Sequence, residues 1–145
     1  MEPCAECGAA SGSCDALFHG LLALDHSRQE PWGPLHGVSV SCYFLQHPSR
    51  ATAGHRGREW ELVRAYLDGG LAAVDWVVRR ARSENSHRSP GLSVPEPPRV
   101  RQEPPARFAV TIEDVAVDGT FPADGFADRV TAWAAATAEA WRPDA

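Results

Sequence analysis

The stretch that decides the fold is residues 34–48, PLHGVSVSCYFLQHP, which reads as a helix with two apolar faces. Its proline at the start suits a first helical turn, and Pro48 ends the pattern because proline cannot continue a helix. One face, within about 80° of helical arc, carries Leu35, Val38, Cys42 and Leu45. The other, within about 60°, carries His36, Val40, Tyr43 and His47. A helix that is apolar on two sides is central in a bundle, so we expect a mostly α protein, a small helical bundle.

Three- and four-residue spacing of apolar residues predicts further helices on both sides of this segment. The first covers about residues 14–26, with Ser13 in position to cap it. Two further stripes, at 60–67 and 71–78, are separated by Gly69-Gly70, which predicts a helix end and a restart, or else one kinked helix. The last helix covers about residues 124–141, and its predicted buried face consists of Phe126, Val130, Trp133, Thr137 and Trp141. The bundle therefore has four or five helices.

A single domain of four parts accounts for all 145 residues. The parts are a Cys knuckle at 1–13, a helical core at 14–83, a proline-rich linker or strap at 84–107, and a short extended segment with the C-terminal helix at 108–145. The strap holds six of the twelve prolines and has almost no apolar spacing, so it is not predicted to be helical. Residues 108–112, FAVTI, are predicted to form a short strand or extended stretch. Thr111, near its end, is predicted to cap a short turn that runs through Asp114.

Composition and charge exclude several classes of protein. The 43% hydrophobic and 23% charged residues are ordinary globular values, and no apolar run approaches the roughly 20 residues of a membrane span. The net charge of −5 makes nucleic acid an unexpected partner, whereas a protein partner stays open. All fourteen basic residues are arginine, which excludes lysine chemistry and suggests a GC-rich bacterial genome. The N-terminus lacks the features of a secretory signal, so we expect a cytoplasmic protein.

The cysteines predict a metal site at the N-terminus. Cys4 and Cys7 form a C-x-x-C-G motif in which Gly8 permits the turn that points two thiolates at one zinc ion, about 2.3 Å from each sulfur. A redox motif would stand at a helix start after a strand, and only three residues precede Cys4. A regulatory disulfide and the absence of any special role stay open as alternatives.

Two thiolates are half of a zinc site, so other residues must complete it. Cys14 is the nearest candidate, although it could instead be a small buried residue at a helix start. Cys42 lies among apolar residues and is assigned to the core. His36 and His47 share one helix face but are eleven residues apart, about 16 Å along a helix, so only one of them can join Cys4 and Cys7.

Asp25 is a carboxylate on the apolar stripe of the first helix, and such a group needs a partner. We expect an arginine near a helix end to pair with it; the alternative is that Asp25 orients a metal-bound histidine. His19 and His26 lie on the other face of this helix and are expected to meet solvent.

Several motifs, taken together, resemble an uncharacterised bacterial family, a domain of unknown function of about this length. They are the C-x-x-C-G knuckle at 4–8, Gln46-His47-Pro48, the T-[IV]-x-D-V element at 111–115, and the Trp-rich C-terminal helix. Members of that family often carry Asp where this chain has Ser41, and histidines where it has Arg142-Pro143. The resemblance implies no activity, and if those groups were catalytic this chain has lost them.

The favoured interpretation is a non-catalytic protein that binds a structural zinc through Cys4, Cys7, Cys14 and one of the two histidines of the central helix. One alternative is a small metal-dependent hydrolase or transferase with an open coordination position near His36 or His47. Another is a metal-free interaction module built on Trp32, Trp60 and the strap. Because no nucleophile elbow, zinc-protease motif, phosphate loop or dinucleotide fingerprint is present, no catalytic residue is assigned.

Overall fold

The regular structure is helical throughout the described residues, 2–85 and 99–143, of which 81–85 are described by their backbone alone. In this computed structural model the α-helices are α1 (Cys14–His26), α2 (His36–Gln46), α3 (Arg56–Asn85), α4 (Ile112–Val115) and α5 (Phe126–Ala140). Short 3-10 turns at Pro48–Arg50 and Ala53–His55 join α2 to α3. The prediction of a mostly α bundle is confirmed. None of the helices in the described ranges is long and apolar enough to cross a membrane.

Helix α2 lies at the centre and packs against both α3 and α5, which also contact each other. The first predicted apolar face is buried along its whole length: Leu35, Val38, Cys42 and Leu45 are each at most 3% exposed. Cys42 is therefore a core residue, as predicted. On the second face, Tyr43 and His47 are also buried, which is the two-sided burial expected of a central helix.

Helix α3 is interrupted at the predicted position. Gly70 has φ 69° and ψ −159°, a conformation that other residues rarely adopt, and the helix changes direction there. Trp60, in the part before Gly70, donates from its indole Nε1 to the carbonyl of Ala138 at 3.1 Å. This bond anchors α3 to α5.

Helix α5 buries the face that its sequence predicts. Phe126, Val130, Trp133, Thr137 and Trp141 are all fully buried. Trp141 donates from Nε1 to the carbonyl of Leu45 at 2.7 Å, and Gln46 donates from Nε2 to the Thr137 hydroxyl at 2.9 Å. Since both bonds end on the last turn of α2, they fix the position of the residue that follows, His47.

Residues 108–112 do not form the strand that was one of the two predictions for them. Their backbone is irregular up to α4, because the N–H of Phe108 donates to the carbonyl of Cys7 at 3.3 Å rather than to a second strand. The turn predicted at Thr111 is present: the Asp114 carboxylate accepts from the Thr111 N–H at 2.9 Å and closes the start of α4. Residues 86–98 of the proposed strap, including His87, lie outside the described residues.

Candidate metal centre

The candidate site lies where the start of α1 meets the end of α2. The two helices run antiparallel, so Cys14, the first residue of α1, comes next to His47, the residue that ends α2. The N-terminal knuckle folds over this end and adds Cys4 and Cys7. The structure thus brings together four of the five residues that the sequence proposed as ligands.

The four ligand atoms are close enough to share one ion. One atom each from Cys4, Cys7, Cys14 and His47 lies within 4.8 Å of all the others, and the Cys7 and Cys14 sulfurs are 3.5 Å apart. A tetrahedral zinc with bonds of about 2.3 Å would set its sulfur ligands about 3.8 Å apart, so the cluster is already near that size. All four cysteines of the chain are free thiols.

Backbone turns shape the knuckle before any ligand is considered. The Cys4 N–H donates to the Ala9 carbonyl at 2.8 Å, and the Gly8 N–H donates to the Cys4 carbonyl at 3.0 Å. Gly12 has φ 68°, and a Cβ there would stand 2.5 Å from the carbonyl oxygen of Glu2. Only glycine fits that position, and the resulting loop turns both knuckle sulfurs toward α1.

Polar contacts tie the knuckle to the rest of the protein. The Glu6 carboxylate accepts from the N–H and the hydroxyl of Ser49 at 2.9 and 3.0 Å, which joins the knuckle to the turn after α2. On the other side, the Ser11 N–H donates to the Glu113 carboxylate of α4 at 2.9 Å. These bonds hold the loop against both sides of the cluster.

His47 is oriented as a metal ligand is. Its Nδ1 donates to the Tyr43 carbonyl at 2.8 Å, and its ring stacks on the Tyr43 ring with centroids 4.1 Å apart. The other nitrogen, Nε2, is buried and has no hydrogen-bond partner. A buried nitrogen left unsatisfied is costly. A metal-bound histidine usually donates from one ring nitrogen to a carbonyl or carboxylate while the other nitrogen binds the ion, and His47 has the first of these contacts and a second nitrogen available for an ion.

The electrostatics of the cluster favour an ionised sulfur. The hydrogen bond from Cys14, helped by His47 and opposed by burial, lowers the pKa of Cys7 to about 4. The same shared hydrogen bond and burial raise the pKa of Cys14. Burial acts to lower the pKa of His47, but Cys7 and the Tyr43 carbonyl outweigh it and raise this pKa to about 9. Cys7 is therefore held as the thiolate, the form in which cysteine binds a metal, and its charge is balanced by the proton on His47. An ion at this place would take the position of that proton, because a histidine ligand binds metal in its neutral form.

His36, the fifth proposed ligand, lies at the other end of the helix pair. Its Nδ1 is 2.9 Å from Oδ2 of Asp25, and it takes no part in the cysteine cluster. The expected arginine partner of Asp25 was therefore wrong: Asp25 sits in the last turn of α1, directly opposite the first residue of α2. His19 and His26 are exposed, as expected.

Sequence reasoning missed the polar group beside the cluster. The Tyr43 hydroxyl donates to the Asp15 carboxylate at 2.7 Å, and Arg50 pairs with the same carboxylate at 2.5 Å. The hydrogen bond from Tyr43 lowers the pKa of Asp15, while burial and Asp15 together raise the pKa of Tyr43. These residues line a cleft of about 220 Å³ next to Cys4. The spacing in the sequence could have indicated this group, since Asp15 directly follows Cys14 and Tyr43 lies one helical turn before His47.

The fold and the site define a class: a small helical protein with three cysteines and one histidine gathered at one end of its central helix. Within that class the chain belongs to a family of unknown function, DUF5946, whose model matches residues 2–142. The resemblance inferred from the motifs is thereby confirmed as to family, and bacterial origin stays a prediction. No curated protein and no solved structure gives a significant match to the chain.

Proposed function

We propose that this protein binds one structural zinc ion through Cys4, Cys7, Cys14 and His47. The observation that carries the proposal is the gathering of these four ligand atoms within 4.8 Å of one another, with Nε2 of His47 buried and unpartnered. Three thiolates and one imidazole are a donor set typical of zinc, since soft sulfur ligands select it over magnesium or calcium.

The ligand set favours a structural role over a catalytic one. Four protein ligands fill a tetrahedral coordination sphere, whereas catalytic zinc keeps three and leaves one position to water. Cys7, Cys14 and His47 are buried, so the ion would be closed off from solvent on most sides. Its function would be to fasten the knuckle to the helix pair. Because thiolates must stay reduced to bind metal, this role suits the cytoplasm.

The interaction-module alternative draws little support from its two tryptophans. Trp60 is only 4% exposed, and the indole of Trp32 donates to the Phe121 carbonyl at 2.9 Å. Trp60 thus belongs to the core and Trp32 is half-buried, so the two rings offer little of the exposed apolar surface on which that alternative depends.

The test is the metal content of untagged protein purified without chelator, measured by elemental mass spectrometry. We expect about one zinc per chain in the parent and none in the Cys4→Ser/Cys7→Ser variant. Cys42→Ala is the matched control, because it removes a buried thiol in the core and should keep the zinc. A folded parent without metal, unchanged by chelator, would overturn the proposal, and stoichiometric iron would overturn the assignment to zinc.

A further inference from the structure

The other end of the α1–α2 pair contains a buried carboxylate that the zinc proposal does not use. The Asp25 side chain has no exposed surface, because it lies on the buried, apolar face of α1. Oδ2 is hydrogen-bonded to His36, while Oδ1 is buried with no hydrogen-bond partner. A carboxylate in such a place costs stability, so its presence calls for a reason.

Asp25 fixes the orientation of His36. Since Nδ1 of His36 is engaged with the carboxylate at 2.9 Å, the nitrogen left for other contacts is Nε2. The His36 side chain is 42% exposed and lines a cleft of about 560 Å³ together with His26 and Arg28. A carboxylate behind one imidazole nitrogen fixes the tautomer and the ring orientation, and it is the arrangement that supports many metal-bound histidines.

A second imidazole stands beside the first. His26 is the last residue of α1, and the centroid of its ring is 5.6 Å from that of His36, with the ring planes at 49°. Two imidazoles that bind one ion with N–metal bonds of about 2.1 Å have their centroids roughly 5–6 Å apart. The observed spacing therefore permits both rings to bind one ion.

We propose that His26 and His36 form a second metal site, for a divalent transition-metal ion, in which Asp25 positions His36. Two imidazoles suit zinc, nickel, cobalt or copper and not calcium or magnesium. Unlike the cysteine cluster, this site leaves coordination positions facing the cleft, open to water or to a ligand with oxygen donors. It shares no residue with the cysteine cluster, so this proposal does not depend on the proposed structural zinc.

The experiment is a calorimetric titration of the protein, as purified, with Ni²⁺, followed by a second measurement of zinc content. We expect one nickel per chain to bind without loss of zinc. His26→Ala and His36→Ala should each weaken nickel binding at least tenfold. His19→Ala is the matched control, since His19 is an exposed histidine on the same helix and should leave nickel binding unchanged.

Asp25→Asn tests the positioning role of the carboxylate. Loss of a carboxylate behind a metal-bound histidine typically costs 10- to 100-fold in affinity, and we expect a nickel affinity reduced within that range. The Nδ1–H proton resonance of His36 should shift upfield at the same time, because the acceptor loses its charge. A merely structural role would alter the unfolding midpoint and leave the nickel affinity as it was.

Three results would overturn the proposal. One is nickel binding of equal strength in the parent, the His36→Ala variant and the His19→Ala control. Another is nickel that enters only by displacing zinc, which would place it at the cysteines. The third is the absence of nickel binding together with saturable binding of inorganic phosphate that His36→Ala abolishes. That result would identify the cleft, with Arg28, as an anion site instead.

Discussion

The two ends of the α1–α2 pair place histidine in two different settings. Cys14 and Asp25 are eleven positions apart along α1, and His36 and His47, which directly follows α2, are also eleven positions apart, a rise of about 16 Å in each case. At one end the Nδ1 of His47 meets a backbone carbonyl, and sulfurs surround the ring. At the other the Nδ1 of His36 meets a carboxylate, and the ring borders an open cleft. The two histidines therefore differ both in the group that accepts from Nδ1 and in the surroundings of the ring.

The unsatisfied polar atom also lies on a different partner at each end. His47 is 3% exposed, so its unpaired Nε2 is buried, and a buried nitrogen without a partner lowers the stability of the fold. The His36 side chain is 42% exposed, and water can satisfy its Nε2; there the buried unpaired atom is Oδ1 of Asp25. The difference teaches that an ion at the first end would be enclosed by protein, as the zinc proposal requires, whereas one at the second end would face the cleft.

The largest expected effect comes from removing the zinc proposed for the cysteine end. Structural zinc sites in small domains contribute about 10–16 kcal/mol of apparent binding free energy, and this chain has a helical core that would survive part of the loss. We expect dialysis against chelator to lower the unfolding midpoint by more than about 10 °C, at roughly 2–4 °C per kcal/mol. Thermal unfolding followed by circular dichroism measures it.

Hydrogen exchange shows whether that loss is confined to one end. The N–H groups of Cys4 and Gly8, which are bonded within the knuckle, should lose their protection in the metal-free protein. Buried α5 should keep its protection, because its contacts lie in the core. An unchanged unfolding midpoint would show that the cysteine end is complete without an ion, and the contrast between the two ends would disappear.

A smaller effect separates the two histidines directly. His47→Ala removes one of the four proposed zinc ligands and should weaken zinc binding about a hundredfold or more, roughly 3 kcal/mol. His36→Ala should leave zinc at one per chain with its affinity unchanged, since His36 lies outside the cluster. Competition against a chromophoric chelator measures both affinities. Equal losses in the two variants would mean that the ends are coupled, and a loss in His36→Ala alone would reverse their assignment.

Much of the fold was accessible from local patterns. The two apolar faces of residues 34–48 identified the central helix, and the break at Gly70 followed from a pair of glycines. The conformation of residues 108–112 was less accessible, because the N–H of Phe108 bonds to Cys7, about 100 positions earlier in the chain. No local pattern reveals a partner at that distance.

For the candidate site too, local spacing predicts one part and the packing between helices decides the rest. The spacing of Cys4 and Cys7 predicts paired ligands, and the helical rise shows that His36 and His47 cannot both join them. Which histidine joins depends on the antiparallel packing of α1 against α2, since that packing brings Cys14 next to His47. The same packing gives Asp25 a histidine partner in place of the expected arginine. Single-helix periodicity contains no information on the direction of the neighbouring helix.

The smallest expected effect is the contribution of Glu59, in α3, to the pH dependence of stability. It has to be subtracted before the pH dependence that comes from the two ends of the α1–α2 pair can be compared. Glu59 lies in the first turn of α3 with Oε2 buried and unpartnered. Burial raises its pKa to about 7, against the opposing effect of Arg56. Because the native state holds this proton more tightly than the unfolded chain, the stability it contributes is full below about pH 4.5 and is lost as the pH rises through about 7.

Glu59→Gln removes that titration. We expect the variant to gain about 1–2 kcal/mol of unfolding free energy at pH 8 and little at pH 4.5, less than the full shift implies because the side chain is partly open to solvent. Urea unfolding of parent and variant across this range measures the difference, in which contributions from the cysteine cluster cancel. Glu61→Gln is the matched control: its carboxylate pairs with Arg80 at 2.7 Å, so its loss should bring no gain at pH 8. A Glu59→Gln gain that stays constant with pH would mean that the carboxylate is ionised throughout. The remaining pH dependence would then come from other groups, with the cysteine end the first to examine.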